Sequence, residues 1–375
     1  MTGRQSLKVL ALATEAWGGR GGIAQSTRDL LGAFAAMPQV AGIEILPRLQ
    51  PEPDPALPPG IHQHRACMGK LGYALRAAWL ATTRRPDIIY CGHVFMAPLA
   101  HLAARIAGAR LVSHVHGLEV WKPLSPRVRR GLMVSDLVLC VSGDTAGKVV
   151  EASSANPDRC AVIYNTVDDR FVPGDRKAAR TRFGLAPEAV VLSTVSRLDS
   201  KQRHKGHDRV IPLLADLARD VPNLTYVVAG TGDDRERLEA LARDTGAGDL
   251  VRFLGFVPDA DLADLYRASD LYVMPSHGEG FGIAFVEAMC CGTPALGLDV
   301  GGAGDALRDG ELGRAVAEED FQNALRTALL APPPDRTDLS ERTRAVFGKA
   351  RFSERLSQAM TPMMTAEGIQ TSMLS

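Results

Sequence analysis

No stretch of this 375-residue chain stays apolar long enough to cross a bilayer as a helix. No cationic, apolar leader stands ahead of the first strand-like run, so the expectation is a cytoplasmic protein. The six cysteines (67, 91, 140, 160, 290, 291) form no Cys-x-x-Cys pair. Several lie in apolar strand or helix contexts, which points to reduced, buried thiols rather than disulfides or a cysteine metal site. Net charge is also missing: 43 Lys and Arg balance 43 Asp and Glu, which leaves no case for a nucleic-acid partner. The pair His204 and His207 lacks further ligands at metal spacing. Asp259-Ala260-Asp261 spells an acid-x-acid string, but it opens the helical run 262–268 and is read as a cap of that helix.

What is present is a long alternation of strands and helices, in a chain too long for one hydrophobic core. Runs 8–13, 43–46, 87–91, 110–115, 136–141 and 161–163 read as strands, with helical patterns at 23–37, 70–82, 97–107 and 143–153 between them. The alternation restarts with strands at 190–195, 224–229, 251–253, 271–274 and 294–296. Near-continuous apolar strands separated by helices imply parallel sheets covered on both faces. The fold class is therefore α/β, two doubly wound Rossmann-like domains with a cleft between them as the natural site. Residues 164–175 have turn chemistry and no periodicity, giving domains at 1–168 and 169–350 and a terminal segment at 351–375. Residues 51–59 read as a mobile Pro-rich loop, and the tail after about 361 as frayed.

The charge is uneven: residues 1–170 carry +6 and the remainder −6. A basic first half suits an anionic membrane surface or an acidic acceptor, though scattered solvated charge is an equal explanation. The densest patch is 122–130, beside Trp121 and Leu132-Met133, which are expected to be exposed.

The most informative segment is 276–292, Ser-His-Gly-Glu-Gly-Phe-Gly-Ile-Ala-Phe-Val-Glu-Ala-Met-Cys-Cys-Gly. A strand ends before it, the stretch 275–282 cannot be regular, and 283–291 is helical in period. Glu279 then sits in a loop at a helix N-terminus, with Glu287 one turn further on. The backbone N–H groups of Phe281, Gly282 and Ile283 face the same space, which suits a phosphate. Upstream, Arg197 ends one strand and Lys205 follows a polar loop; together they could neutralise a diphosphate without a metal. In the first half, Gly18-Gly19-Arg20-Gly21-Gly22 follows strand one. Gly19, Gly21 and Ala24 fit the dinucleotide fingerprint, with Glu44 as its acid. Glu44 falls too early in its strand to hold a ribose, so a loop admitting a phosphate or sugar is preferred. His116 ends another strand, with His114 on the same face.

These motifs resemble those of a retaining glycosyltransferase of family 4, with the GT-B fold. The Glu279-x7-Glu287 signature carries the resemblance, supported by Ser196-Arg197-Leu198, Lys205-Gly206, Gly255-Phe256-Val257, Gly292-Thr293-Pro294, Gly301-Gly302, Gly21-Gly22-Ile23 and His116-Gly117. The resemblance implies that Arg197 and Lys205 hold the donor diphosphate, Glu287 the ribose, and Glu279 hydroxyls of the donor sugar. It implies that Phe281, Gly282 and Ile283 present backbone donors, that Phe256 and Val257 border the base, and that Gly21 and Gly22 close on the phosphates. His116 would lie at the sugar end. No metal or cofactor is implied, and the departing phosphate would take the acceptor's proton.

The implied activity moves a hexose from a GDP- or UDP-linked donor to a lipid-linked, cell-surface glycan. Epimerisation, soluble disaccharide synthesis or a non-catalytic sugar-nucleotide binder are the alternatives; the intact Arg197, Lys205, Glu279 and Glu287 argue against the last. Two departures stand out: Asn165-Thr166-Val167-Asp168 replaces Asn-Gly-Val-Asp, and Asp305 stands where the family often has Glu. The helix near 350–360 would cross back onto the first domain.

Overall fold

The computed structural model describes residues 6–50 and 55–364. The chain divides into two compact units, Met1–Thr166 with Lys349–Ser375, and Val167–Gly348. The first unit carries a seven-stranded parallel sheet. Its strands are β1 Leu7–Ala13, β2 Val40–Pro47, β3 Ile61–Gln63, β4 Ile88–Cys91, β5 Arg110–Val115, β6 Leu137–Cys140 and β7 Cys160–Val162, in spatial order 3-2-1-4-5-6-7. The second unit carries six: β8 Val190–Val195, β9 Leu224–Ala229, β10 Val251–Gly255, β11 Leu271–Met274, β12 Ala295–Leu298 and β13 Arg314–Val316, in order 10-9-8-11-12-13.

Alternating residues of each strand feed opposite faces, which is why the strand sequences are apolar throughout. In the first unit, Val9, Ala11, Ile43, Ile88 and Val112 pack one way, under the helices Gly22–Ala35 and Lys349–Met364. Leu10, Leu12, Leu46, Ile89 and Leu111 pack the other way, under the helices Lys70–Arg84 and Ala97–Ala107. The terminal helix contributes Phe352, Leu356 and Met360, all buried at i, i+4, i+8. Each is worth roughly 1.5–3 kcal/mol of apolar burial. That helix runs on to Met364, past the point where the sequence suggests fraying; residues 51–54 and 365–375 lie outside the described residues.

The units divide between Thr166 and Val167, inside the stretch 164–175 read as the linker, and the rest of that stretch is strapped to the second unit. Phe171 is buried, its carbonyl accepts from Arg344 Nη1 at 3.1 Å, and Val172 O accepts from Arg267 Nε at 2.8 Å. The expected exposed flank of the 122–130 patch needs correction: Leu132 is fully buried and Trp121 half-buried, with Lys148 Nζ 4.3 Å from the Trp121 ring, while Met133 is exposed as expected. Lys122, Arg127, Arg129 and Arg130 are exposed as expected. The strands β3 and β13, each three residues long and carrying polar residues at a sheet edge, go unseen in sequence. Among the described residues no helix is long and apolar enough to cross a membrane. All six cysteines are free; burial pushes the Cys91 and Cys290 thiols up to about 12, which makes them inert.

Candidate functional site

In the second sheet the strand order reverses between β8 and β11. Loops that leave the carboxyl ends of strands at such a reversal diverge and open a crevice. The two loops here are 196–206, after β8, and 275–282, after β11.

The first is shaped by short-range chemistry. Asp199 accepts from the backbone N–H of Lys201 at 2.9 Å and starts the turn Ser200–Lys205. Gly206 ends it at φ 86°, where a Cβ would lie 2.2 Å from the Pro275 carbonyl oxygen, so only glycine lets the loops touch. A backbone bond from His277 N to His204 O, 2.8 Å, fastens them together. The outcome is one close contact between sequence-predicted residues: Lys205 Nζ donates to Glu279 Oε1 at 2.6 Å, with side chains 18% and 8% exposed.

Glu279 is held from behind. Its carbonyl accepts from Gly302 N at 2.8 Å, and a Cβ on Gly302 would come within 2.1 Å of Gly280 O. The Gly301-Gly302 pair therefore acts as a brace for the Glu279 loop. Gly282 (φ 92°) is the N-cap of helix Ile283–Cys290 and brings no capping side chain. The N–H donors of Gly282 and Ile283 meet no backbone acceptor outside that helix among the described residues. They and the helix dipole form an anion-binding end. Phe281 turns its ring into the interior, 5.5 Å from Phe347. Glu287 sits in the second turn of the helix, where Tyr266 OH donates to its Oε2 at 2.8 Å and fixes the carboxylate.

The other donor-site candidates are spread around this pair. Arg197 is exposed at the end of β8, and no carboxylate pairs with it among the described residues. Phe256 presents its ring to solvent, 63% exposed, while Val257 is buried against Ala179 and Leu265.

His204 and His207, weighed in sequence only as a metal pair, belong here. His207 is buried, with Nε2 2.8 Å from Ser196 Oγ and Nδ1 3.2 Å from Tyr226 OH. Burial pushes its pKa down to about 4, so it is a neutral brace beneath the Arg197 turn. His204 lies near both Lys205 and Glu279; its Nε2 has no hydrogen-bond partner, and burial lowers its pKa. No local pattern in sequence marks either one.

In the first unit the order reverses between β1 and β4. Gly21 (φ 86°) is the N-cap of helix Gly22–Ala35, and both Gly21 and Gly22 are exposed, with open space where a Cβ would stand. Glu44 pairs with His64 at 2.9 Å and Arg84 at 3.2 Å in mid-strand, which removes it as a ribose-binding acid. His116 Nε2 lies 3.0 Å from Gly92 O, on the loop leaving β4, and its N–H donates to Glu119 at 2.6 Å. The His114 ring lies 4.2 Å away, buried, with Nδ1 2.7 Å from Tyr90 OH; burial holds its pKa well below the usual value.

Asp259 and Asp261 do not cap their helix by side-chain bonds; Asp261 instead accepts from Arg182 Nη2 at 2.5 Å. Asp261 does stand at the N-cap of helix Leu262–Ala268, but the cation across the fold competes for its carboxylate. Among the described residues no group of three or more His, Cys, Asp or Glu is arranged to hold a metal ion. Thr166 shows no left-handed backbone, so the turn that departs from Asn-Gly-Val-Asp closes without glycine.

The chain matches two family models: Glycosyltransferase Family 4 over residues 20–171 and Glycosyl transferases group 1 over residues 175–346. It is 35% identical over 287 residues to a D-inositol 3-phosphate glycosyltransferase of Geodermatophilus obscurus, covering 72% of this chain and 59% of that protein. The chain thus spans about three-fifths of the length of the curated relatives it matches. Among solved structures it resembles Anabaena HepE in complex with UDP and glucose (TM-score 0.71, 21% identity, 95% of this chain and 99% of that one). The lipopolysaccharide outer core galactosyltransferase WaaB superposes equally well (TM-score 0.71, 20% identity, 94% and 99%). At these identities the likeness shows a shared fold, GT-B.

Proposed function

The chain belongs to the group 1, family 4 glycosyltransferases, and on that premise we propose that it transfers a hexose from a nucleoside-diphosphate donor to an acceptor hydroxyl with retention. The observation that carries this reading is the 2.6 Å Lys205–Glu279 contact at the switch point of the second sheet, beside an uncapped helix N-terminus. A cation, backbone N–H donors and a carboxylate converge there, which is the donor set a sugar diphosphate needs: positive groups for the phosphates and an acceptor for sugar hydroxyls.

On this reading Lys205 and Arg197 meet the charge that develops on the leaving diphosphate. The Gly282 and Ile283 N–H groups supply further donors to phosphate oxygens. Glu279 accepts from donor-sugar hydroxyls, and the hydrogen bond from Lys205 keeps that carboxylate aimed until the donor arrives. Glu287, fixed by Tyr266, grips the ribose hydroxyls. Phe256 and Val257 border the base, one exposed ring offering a stacking face. Gly21 and Gly22 leave room for a phosphate at the first unit's helix start, and His116 serves the sugar end. The departing phosphate oxygen takes the acceptor proton on the face where the new bond forms, and no metal participates.

The acceptor is a growing, lipid-linked glycan destined for the cell surface. Because the named relatives are D-inositol 3-phosphate glycosyltransferases, a phosphorylated cyclitol is the second acceptor class. The test is a matrix of UDP- and GDP-hexoses against lipid-linked oligosaccharides and inositol phosphate, read by mass spectrometry and by the anomeric coupling of the product. One donor–acceptor pair yielding a product with the donor's anomeric configuration is expected. An inverted product, or no transfer with any donor while the chain stays folded, contradicts the proposal.

A further inference from the structure

The helix Lys70–Arg84 is apolar on two opposite sides. Tyr73, Ala77, Leu80 and Ala81 are buried against the first sheet. At 100° per residue, Leu71, Leu75 and Trp79 fall on the reverse side, and they are 73%, 63% and 55% exposed. Met68, just before the helix, extends the row and is also exposed. A helix with a second apolar stripe is one whose outer side is covered by something.

The neighbouring helix continues the surface. Ala97–Ala107 buries Ala97, Ala100, Ala103 and Ala104 in the same core cluster, against the same face of the sheet. The two helices pack on each other, so their outer sides look the same way. On the second helix that side carries exposed Leu102 and Ile106.

Charge identifies the occupant. Asp87 is the only acidic residue from 55 to 118, against seven Lys and Arg, and its carboxylate is taken by Lys8 N at 2.8 Å. Lys70, Arg76, Arg85 and Arg105 are exposed on these two helices and their ends, as is Arg84, which pairs with Glu44. Apolar residues with an aromatic, set among cations that outnumber the acids, match the interfacial region of an anionic bilayer. A second copy of this chain would bring the same cations against themselves, which like-charge repulsion opposes.

We infer that the outer face of helices Lys70–Arg84 and Ala97–Ala107 docks on an anionic lipid surface, with Leu71, Leu75 and Trp79 entering the headgroup layer. This differs from the 122–130 patch suggested by sequence, and it stands independently of the donor-site reading.

The experiment is sedimentation of the full chain with vesicles of 30% phosphatidylglycerol in phosphatidylcholine, and with phosphatidylcholine alone, at low and high salt. Partitioning onto the anionic vesicles at least tenfold above the neutral ones is expected, falling with salt. Leu75→Ser with Trp79→Ser should reduce it at least tenfold, and Arg76→Glu with Arg105→Glu likewise. All four side chains are at least half exposed or at exposed positions, and circular dichroism verifies that each variant is folded. The blue shift of tryptophan emission on adding anionic vesicles should vanish in Trp79→Phe. No partitioning, equal partitioning on neutral vesicles, or a dimer in lipid-free solution that Leu75→Ser with Trp79→Ser abolishes would each overturn the proposal. No nucleotide enters this experiment, so its failure leaves the sugar-transfer reading untouched.

Discussion

Acid should loosen the donor site through His207. Its imidazole is buried, neutral, and hydrogen-bonded to Ser196 and Tyr226, with a pKa pushed down from 6.5 to about 4. The unfolded chain binds a proton near pH 6.5, whereas the folded one resists it until about pH 4. Stability contributed by the neutral form is therefore complete above pH 6.5 and is lost as pH falls from there towards 4. At 1.36 kcal/mol per pK unit the loss amounts to about 3 kcal/mol. Burial of His114 adds in the same direction from the first unit. The assay is urea unfolding from pH 7.5 to 4.5, comparing wild type with His207→Gln, which cannot titrate. Wild type should lose stability across that window, and the variant should lose about 3 kcal/mol less of it while starting lower at pH 7.5. Identical pH slopes in the two proteins would refute the assignment of a buried, neutral brace.

Three further outcomes follow from the pair and its brace. Lys205→Ala removes a charged donor and strands a carboxylate that is 8% exposed; UDP affinity should fall roughly tenfold or more, and urea denaturation should show a loss of about 2–3 kcal/mol. Glu279→Gln keeps an acceptor for Lys205 but removes the charge; calorimetry should find UDP binding as tight as wild type or tighter, while turnover drops roughly a hundredfold. Equal loss of UDP binding in both variants would contradict the division of roles between them. Gly302→Ala puts a Cβ 2.1 Å from Gly280 O; the loop must shift at a cost of about 2 kcal/mol, seen in calorimetric scans as a melting point about 4–8 °C lower.

Much of the architecture is legible in sequence because parallel strands buried on both faces must be apolar throughout. Val190–Val195, Leu224–Ala229 and Leu271–Met274 read correctly for that reason. Two of the four edge strands escape: Ile61–Gln63 and Arg314–Val316 are three residues long and interrupted by polar side chains, whereas the equally short but more apolar Cys160–Val162 reads as a strand. The glycine-rich turn around Glu279 was visible as a turn, since 275–282 offers no regular alternative. The bond from Lys205 to Glu279 was not, because it joins residues 74 apart through a crossover that only the sheet order brings together. His207 carries no motif, and its partners come from the end of β8 and the middle of β9. Asp261 misled for the converse reason: an acid at a helix start has a local cap within reach, and Arg182 outcompetes it. Leu132 and Trp121 show the same limit, since a period tells that a helix has faces but not which one meets the core.

The central claim is that the second unit binds a nucleoside diphosphate through Lys205, Arg197 and the Ile283–Cys290 helix start. Isothermal titration of the chain with UDP and with GDP, in EDTA, tests it most directly. One of the two should bind with one-to-one stoichiometry, undiminished by the chelator, and Lys205→Ala should weaken it. Binding of neither nucleotide, or binding that Lys205→Ala and Arg197→Ala leave unchanged, contradicts the account.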